Sequence, residues 1–397
     1  MHNKKILIAG AGIGGLATAI ALAQRGFKPV VLEKAQELQE VGAGIQLSAN
    51  ACHVLSQLNV LGGIRDHAVA PKRIEFRHYH NGSRLFRAPL GLIHRLAFGQ
   101  SYLHIHRADL QQALVNELNK LAPNALQLGT EITSVEQNST SVKATCSDKS
   151  CYTGDILVAA DGVRSSVRKQ CFPEASAPEW TGNYAWRTTL PTAVLGDQFM
   201  PKQATVFVGP GKHVVLYYIR GGRWINMVGV VENETPCSLD SWSAKAPWEA
   251  MRDDFLDWHP MVQQVIAAVP KDACYRWDLY RRPSLSHWVN DRVVLMGDAA
   301  HATLPFVAQG AALALEDSLV LARCLDRYQD PTTALATFER VRQPRCSEIQ
   351  AKADENMSLY HGDEGHLMRD FTSQMRAPSH YRFMSNVYRY KANNVAI

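Results

Sequence analysis

Gly10, Gly12 and Gly15 lie in the run Gly10-Ala11-Gly12-Ile13-Gly14-Gly15, a spacing suited to holding the phosphates of a dinucleotide. In G-x-G-x-x-G the first glycine permits a tight turn and the second lets a pyrophosphate approach the backbone. The third lets helix and strand pack closely, and the helix N-terminus supplies free N–H groups and the positive end of its dipole. Glu33, 18 residues beyond Gly15 and followed by Lys34, stands where a carboxylate binds ribose hydroxyls. FAD and NAD share this fingerprint, which does not choose between them. A second kind of chemistry is offered by His213 and Tyr217, four apart in an apolar run. On a strand they share a face. The imidazole titrates near neutrality and the phenol can donate or accept a hydrogen bond, so the pair could deprotonate and orient a bound hydroxyl. The plainer reading makes His213 a sheet residue beside a turn and Tyr217 core filling.

These residues need elements to hold them. Ile6-Leu7-Ile8-Ala9 is short and wholly apolar, the pattern of a parallel strand covered on both faces. Residues 16–24 predict a helix stopped by Gly26, and Val30-Val31-Leu32 a second buried strand ending at Glu33. Ile156-Leu157-Val158-Ala159 is a further apolar strand that breaks at Asp161-Gly162, and 292–296 another that breaks at Gly297-Asp298. The loop 302–309 leads to Gly310, which opens a strong helix over 311–325. Alternation and turn signals predict antiparallel sheet over 74–90 and 184–231, with turns at Gly209-Pro210-Gly211 and Gly221-Gly222. The tail predicts helix from Thr332 to about Leu359 and irregular chain beyond. The expected fold class is therefore α/β. A Rossmann-like dinucleotide-binding domain is assembled from 1–72, 96–180 and 283–350, an inserted antiparallel β-sheet domain from 73–95 and 181–282, and 351–397 forms a C-terminal helical tail.

The glycine fingerprint, the Asp161-Gly162 motif and the Gly297-Asp298 motif, in that order, resemble the three signatures of the class A flavoprotein aromatic hydroxylases, the family of p-hydroxybenzoate and salicylate hydroxylases. The resemblance implies a noncovalent FAD, with NAD(P)H as a transient co-substrate bound in a groove that carries no fingerprint of its own. It implies that Asp298 accepts hydrogen bonds from the ribityl chain and that Gly310 and Ala311 offer N–H groups to the flavin N1–C2=O edge. That edge becomes negative on reduction, so a helix N-terminus suits it. By the same resemblance Asp161 lies near the pyrophosphate and the nicotinamide approach, and Val41-Gly42-Ala43-Gly44-Ile45 forms the loop beside the flavin. Arg107 contacts FAD, Ile132 lies beside the adenosine half, and Pro305 lies over the flavin face. Arg107 also reads as a helix-start surface ion pair and Pro305 as a loop restraint, while His301 reads as structural. The run from His213 through Tyr217 to Gly222 resembles the corresponding strand of hydroxybenzoate 6-hydroxylases and salicylate hydroxylases, which favours the site reading of both residues.

The activity implied is hydroxylation of a small aromatic acid with O2, through an electrophilic flavin hydroperoxide that requires an electron-rich ring. A monohydroxybenzoate, 3-hydroxybenzoate or salicylate, is the expected substrate. Gln46 stands where related 6-hydroxynicotinate hydroxylases carry histidine, which weakens the heteroaromatic alternative. A same-fold epoxidase or isoprenoid reductase is disfavoured by the polar tail, with Asp363, Glu364, Arg369, Asp370 and Arg376. A non-catalytic flavoprotein is the remaining rival. Over 397 residues the apolar fraction is 46%, ample for a large core, and the net charge of +5 is scattered, so nucleic acid is not an expected partner. The eight cysteines form no CxxC pair, and free thiols in a reducing compartment are expected. His104 and His106 read as strand alternation rather than a metal site. The first apolar run is too short for a signal sequence and no long apolar stretch predicts a membrane span, so the expectation is a cytoplasmic monomer or homodimer.

Overall fold

The computed structural model describes residues 4–38, 43–196, 199–236, 243–272 and 274–397. Val41 and Gly42 of the loop singled out above, and Cys237, lie outside them.

The first strand, Lys5–Ala9, is central in a six-stranded sheet. Lys28–Leu32 and then Leu126–Gln127 lie on one side of it, and Ile156–Ala159, Val293–Leu295 and Val289–Asn290 on the other. All neighbours run parallel except the outermost pair. Ile6, Leu7 and Ile8 have no exposed surface, as their lack of any polar alternation requires. The helix Ile13–Ala23 is likewise apolar on almost every face, and it packs between the sheet and the helices Arg107–Leu121 and Gly310–Arg327. Strand order reverses at Lys5–Ala9, so the crevice outside the carboxyl ends of the strands opens there.

An eight-stranded sheet forms the second layer, in the order Ser243–Lys245, Tyr275–Arg281, Glu179–Pro191, Trp224–Glu232, Lys212–Ile219, Ala204–Gly209, Arg73–His78 and Arg84–Pro89. Every pairing is antiparallel except that of Ala204–Gly209 with Arg73–His78. Gly211, at φ +65°, and the pair Gly221 and Gly222, at +68° and +94°, make the expected turns. One face of this sheet buries Phe207, Val214, Leu216 and Met227 with Phe255, Trp258, Val262 and Val265 of its own helical segments. The other face buries Val206, Val208 and Val230 with Leu304, Phe306, Tyr360 and Phe371, and so faces the crevice.

The helix Pro331–Tyr360 lies where the tail predicts one, with Ile349, Ala353 and Leu359 on its buried stripe. The chain beyond it is not irregular: helical turns follow from Glu364 to Met375, and a helix spans Pro378–Arg389. Pro378 is the first residue of that helix, where its missing N–H costs nothing. Among the described residues the seven cysteines are free thiols, and no helix is long and apolar enough to cross a membrane.

Candidate active site

The glycine loop shows a different constraint at each position. A Cβ on Gly10, at φ +93°, would lie 2.7 Å from the Ala160 carbonyl oxygen, and one on Gly15 would overlap the Gly10 carbonyl. A Cβ on Gly14 would press on Ala314 at 3.2 Å. Gly12 has nothing within 4 Å, and the backbone there is extended, at φ −68° and ψ 177°. The fingerprint therefore packs tightly everywhere except at the glycine that a pyrophosphate would approach. Glu33 reaches over the loop: its carboxylate accepts the Ala11 N–H at 2.7 Å and the Ala35 N–H at 2.9 Å. Lys34 is exposed beside it. Gln111, which sequence reasoning missed, donates to the Ala11 carbonyl at 2.7 Å and braces the loop from the Arg107–Leu121 helix.

Around this crevice several polar groups face space rather than protein. Asp298 keeps open surface although protein atoms crowd around it. Burial pushes its carboxyl up, against the pull of His301, Arg107 and Arg187. Asp161 Oδ2 accepts the Val167 N–H at 3.2 Å, while Oδ1 is buried without a partner among the described residues. Burial raises that carboxyl as well. Arg107 starts its helix with an exposed side chain, and its N–H donates to the Ala43 carbonyl at 3.2 Å. Gly310 and Ala311 are half-exposed at a helix whose first internal donor is the Leu313 N–H, so their own N–H groups point out of the helix end. Thr130 donates its N–H to the Glu33 carbonyl at 2.7 Å, which brings Ile132, buried at the start of its strand, alongside Glu33. Donors, orphaned acceptors and an unobstructed Gly12 fit an FAD laid along the crevice.

A buried ion network holds the far wall. Asp317 accepts the Gly297 N–H at 2.9 Å, His301 Nε2 at 2.6 Å and Arg342 Nε at 2.7 Å. Burial works against its charge, but His301 and Arg342 hold the carboxyl below its usual range. Glu316 accepts from Arg345 at 2.8 Å and from Asn50 Nδ2 at 2.7 Å. Gln309 links Asn50 to Ser48. His301 is thus structural. His301, Asp317 and Cys346 converge, but the Arg342 guanidinium inside the cluster opposes a metal cation. Arg342→Met should cost about 3–5 kcal/mol, because it removes the buried cation paired with both Asp317 and, at 2.8 Å, Glu316. Urea unfolding of the variant beside wild type reads that loss directly, and an unchanged midpoint would deny the network its role.

His213 and Tyr217 share the sheet face turned to the crevice. Between them Val215, and its partner Val228 on the next strand, remain half-exposed at the middle of the sheet, as do Arg187 and Ile74 on the same face. A pocket floor explains that pattern. His213 packs on Phe306 at 4.9 Å between ring centroids, beside half-exposed Pro305. Burial pushes its imidazole well below the ordinary value, and the neighbouring His361 adds to the effect, so it stands neutral. Tyr217 lies at the other end, where a Cβ on Gly44 would come within 2.6 Å of its ring. Burial raises its phenol, with Arg187 opposing, so it stands protonated as a donor. His104 stacks near it at 4.4 Å, and Leu103–His106 pairs with Gly44–Leu47 as a sheet element. Gln46 is held there by Tyr102 at 2.6 Å. Sequence reasoning missed two polar groups here. Among the described residues Arg187 has its Nε buried and unpartnered, and Asn226 accepts the Gly44 N–H at 2.6 Å while its Nδ2 finds no partner. Their only sequence signal is a polar residue inside an apolar strand.

Comparison with known proteins agrees with this geometry. A family described as an FAD binding domain matches residues 3–353. The 3-hydroxybenzoate 6-hydroxylase 1 of Aquipseudomonas alcaligenes is 35% identical, over 88% of this chain and 87% of the relative. The 3-amino-4-hydroxybenzoate 2-monooxygenase of Streptomyces cremeus is 34% identical, over 96% and 94%. Among solved structures, Klebsiella pneumoniae HpxO complexed with FAD and uric acid superposes with a TM-score of 0.83 at 27% identity, covering 97% of this chain and 96% of that one. The chain thus matches oxygen-inserting relatives along nearly its whole length, and the protein belongs to the class A flavoprotein aromatic hydroxylases, as an FAD-dependent aromatic monooxygenase.

Proposed function

We propose that the protein hydroxylates a monohydroxybenzoate, 3-hydroxybenzoate or salicylate, using NAD(P)H and O2. The observation that carries this is the half-exposed Val215–Val228 floor bounded by neutral His213 and protonated Tyr217. Bound FAD would supply hydride acceptance and oxygen transfer. The chain's residues do the rest. The valines and Phe306 give the ring an apolar seat that excludes water, which protects reactive oxygen species from decay. His213 takes the proton of the ring hydroxyl, making the ring electron-rich, and Tyr217 donates a hydrogen bond to the substrate. Arg187 gives the pocket a positive charge suited to a carboxylate. Gly10, Gly12, Gly14, Gly15, Glu33, Lys34, Gly44, Arg107, Ile132, Asp161, Asp298, Gly310 and Ala311 are assigned to FAD, and Pro305 to the substrate side. Residues 73–95 and 181–282 are assigned to substrate, and the cytoplasm as the site of action.

The test is a substrate panel on the yellow holoenzyme: 3-hydroxybenzoate, salicylate, 6-hydroxynicotinate and benzoate, with NADH or NADPH. Consumption of the nicotinamide should be stimulated by a monohydroxybenzoate and matched by dihydroxybenzoate product. Turnover of 6-hydroxynicotinate alone, or peroxide as the sole product with both hydroxybenzoates, would overturn the assignment. Denaturation should release FAD, one per chain, into the supernatant.

A further inference from the structure

His213 does not end in the core. Its Nδ1 lies 2.8 Å from His361 Nε2, and His361 Nδ1 lies 2.9 Å from Glu232 Oε1. His213 is 3% exposed and His361 7%, whereas the Glu232 side chain is half-exposed, at 51%. Three side chains from distant parts of the sequence thus make one hydrogen-bonded line from the pocket floor to the surface. The line is held from outside itself: the Gly211 N–H donates to the His361 carbonyl at 3.0 Å, and the Glu232 N–H to the Gly211 carbonyl at 2.9 Å. His361 is the residue that ends the helix Pro331–Tyr360, so the tail of the chain delivers it.

A carboxylate only accepts hydrogen bonds. Glu232 therefore requires the proton of neutral His361 on Nδ1, which leaves His361 Nε2 as an acceptor. His213 must then carry its proton on Nδ1, which leaves His213 Nε2 bare. From these distances we infer that Glu232 and His361 are positioning and proton-conducting residues, which fix His213 as the Nδ1–H tautomer and carry its acquired proton out to solvent. The inference rests on His213 acting as the base proposed above. In the forward step the substrate O–H bond breaks as an N–H bond forms at His213 Nε2. The Nδ1–H bond of His213 breaks as one forms at His361 Nε2, and the Nδ1–H bond of His361 breaks as an O–H bond forms on Glu232, which passes the proton to water. Reverse passage re-protonates the product oxygen and restores both tautomers.

The electrostatics agree in direction. Burial makes an imidazolium at His213 costly, so a proton taken there is readily passed on. The His361 hydrogen bond holds the Glu232 carboxyl below its ordinary range, against partial burial, so it stays an acceptor. The other titratable side chain against His213 is Tyr360, at 5.6 Å between ring centroids, whose hydroxyl donates to the Phe306 carbonyl at 3.3 Å.

The experiment mixes oxidised holoenzyme with 3-hydroxybenzoate, or with salicylate where that is the ligand bound, in weak buffer with a pH indicator, and follows proton release by stopped flow. His361→Ala should slow release by about 10²-fold, the lower end of what a positioned proton-transfer group contributes, and added imidazole should restore it. Glu232→Gln changes an exposed side chain and leaves folding and FAD binding intact. It should slow release and move the acid limb of the pH–rate profile to lower pH, because without the carboxylate at the end of the line an imidazolium at His213 is harder to form. Wild-type release and an unmoved profile in Glu232→Gln, or an imidazole-insensitive His361→Ala, would overturn the relay. A His213→Ala variant that remained slow in that case would leave the base assignment standing. Wild-type turnover in His213→Ala would instead remove both.

Discussion

Gly12→Val should yield folded protein that no longer retains FAD. A Cβ there meets no described protein atom within 4 Å, and the extended backbone, at φ −68° and ψ 177°, is one valine adopts readily. The β-branch therefore does not resist the turn, although turn strain would be the first expectation for a glycine loop. What the valine displaces is ligand. It would hold a pyrophosphate away from the N–H groups at the start of the Ile13–Ala23 helix, where the Leu16 N–H is the first to find an internal partner. Losing two charge-assisted hydrogen bonds at about 1.5–3 kcal/mol each weakens binding by roughly 10²–10⁴-fold. Gly15→Ala makes the contrast, because its Cβ would overlap the Gly10 carbonyl and the helix would have to move off the strand. Circular dichroism and FAD titration of both variants separate the cases. Gly12→Val should keep native helix signal without flavin, and Gly15→Ala should lose both. A Gly12→Val protein that purified yellow at wild-type affinity would assign the crevice to something else.

The parts of the fold legible in the sequence are those whose causes are local. A buried parallel strand has to be apolar on both faces, so Ile6-Leu7-Ile8, Ile156-Leu157-Val158 and Val293-Val294-Leu295 are visible as runs, and the glycines and aspartates that break them are visible as breaks. The turn glycines at 211, 221 and 222 announce themselves because left-handed backbone selects them. The unread parts depend on where distant segments land. Arg187 looks like any polar residue in a strand until the register Arg187↔Val228 places it on the crevice face. His361 follows 30 helical residues, and only the packing of that helix on the Pro305–Val307 turn decides that its ring meets His213. Glu232 reads as the polar end of a strand. The ion network is hidden for the same reason: Glu316 and Asp317 sit in a helix that presents acidic residues to the core, which pattern reading takes for solvent.

His213→Ala should leave FAD binding intact while cutting hydroxylation by about 10²–10⁴-fold, the usual worth of a positioned base, a loss beyond what the cavity it leaves accounts for. The imidazole is neutral, buried and hydrogen-bonded on one nitrogen, at the edge of a floor whose valines keep open surface in the middle of a sheet. Truncation leaves a cavity against Phe306 and Tyr360 under either reading, and a purely packing histidine would show its removal as lost stability alone, with hydroxylation by the folded protein unchanged. Tyr217→Phe is the cleaner partner. The ring that packs on His104 and under Gly44 is preserved and only the hydroxyl goes, so the fold has nothing to lose. If the hydroxyl orients substrate, product yield per NADH falls and peroxide rises, because a ring held off line lets NADH oxidation run uncoupled. The measurement is coupled yield, turnover and melting temperature for each variant. Loss of yield by the folded protein supports the site. Loss of stability at wild-type yield returns the strand to the core. Wild-type values throughout would leave Arg187 and Asn226 as the polar groups of the pocket with work to do.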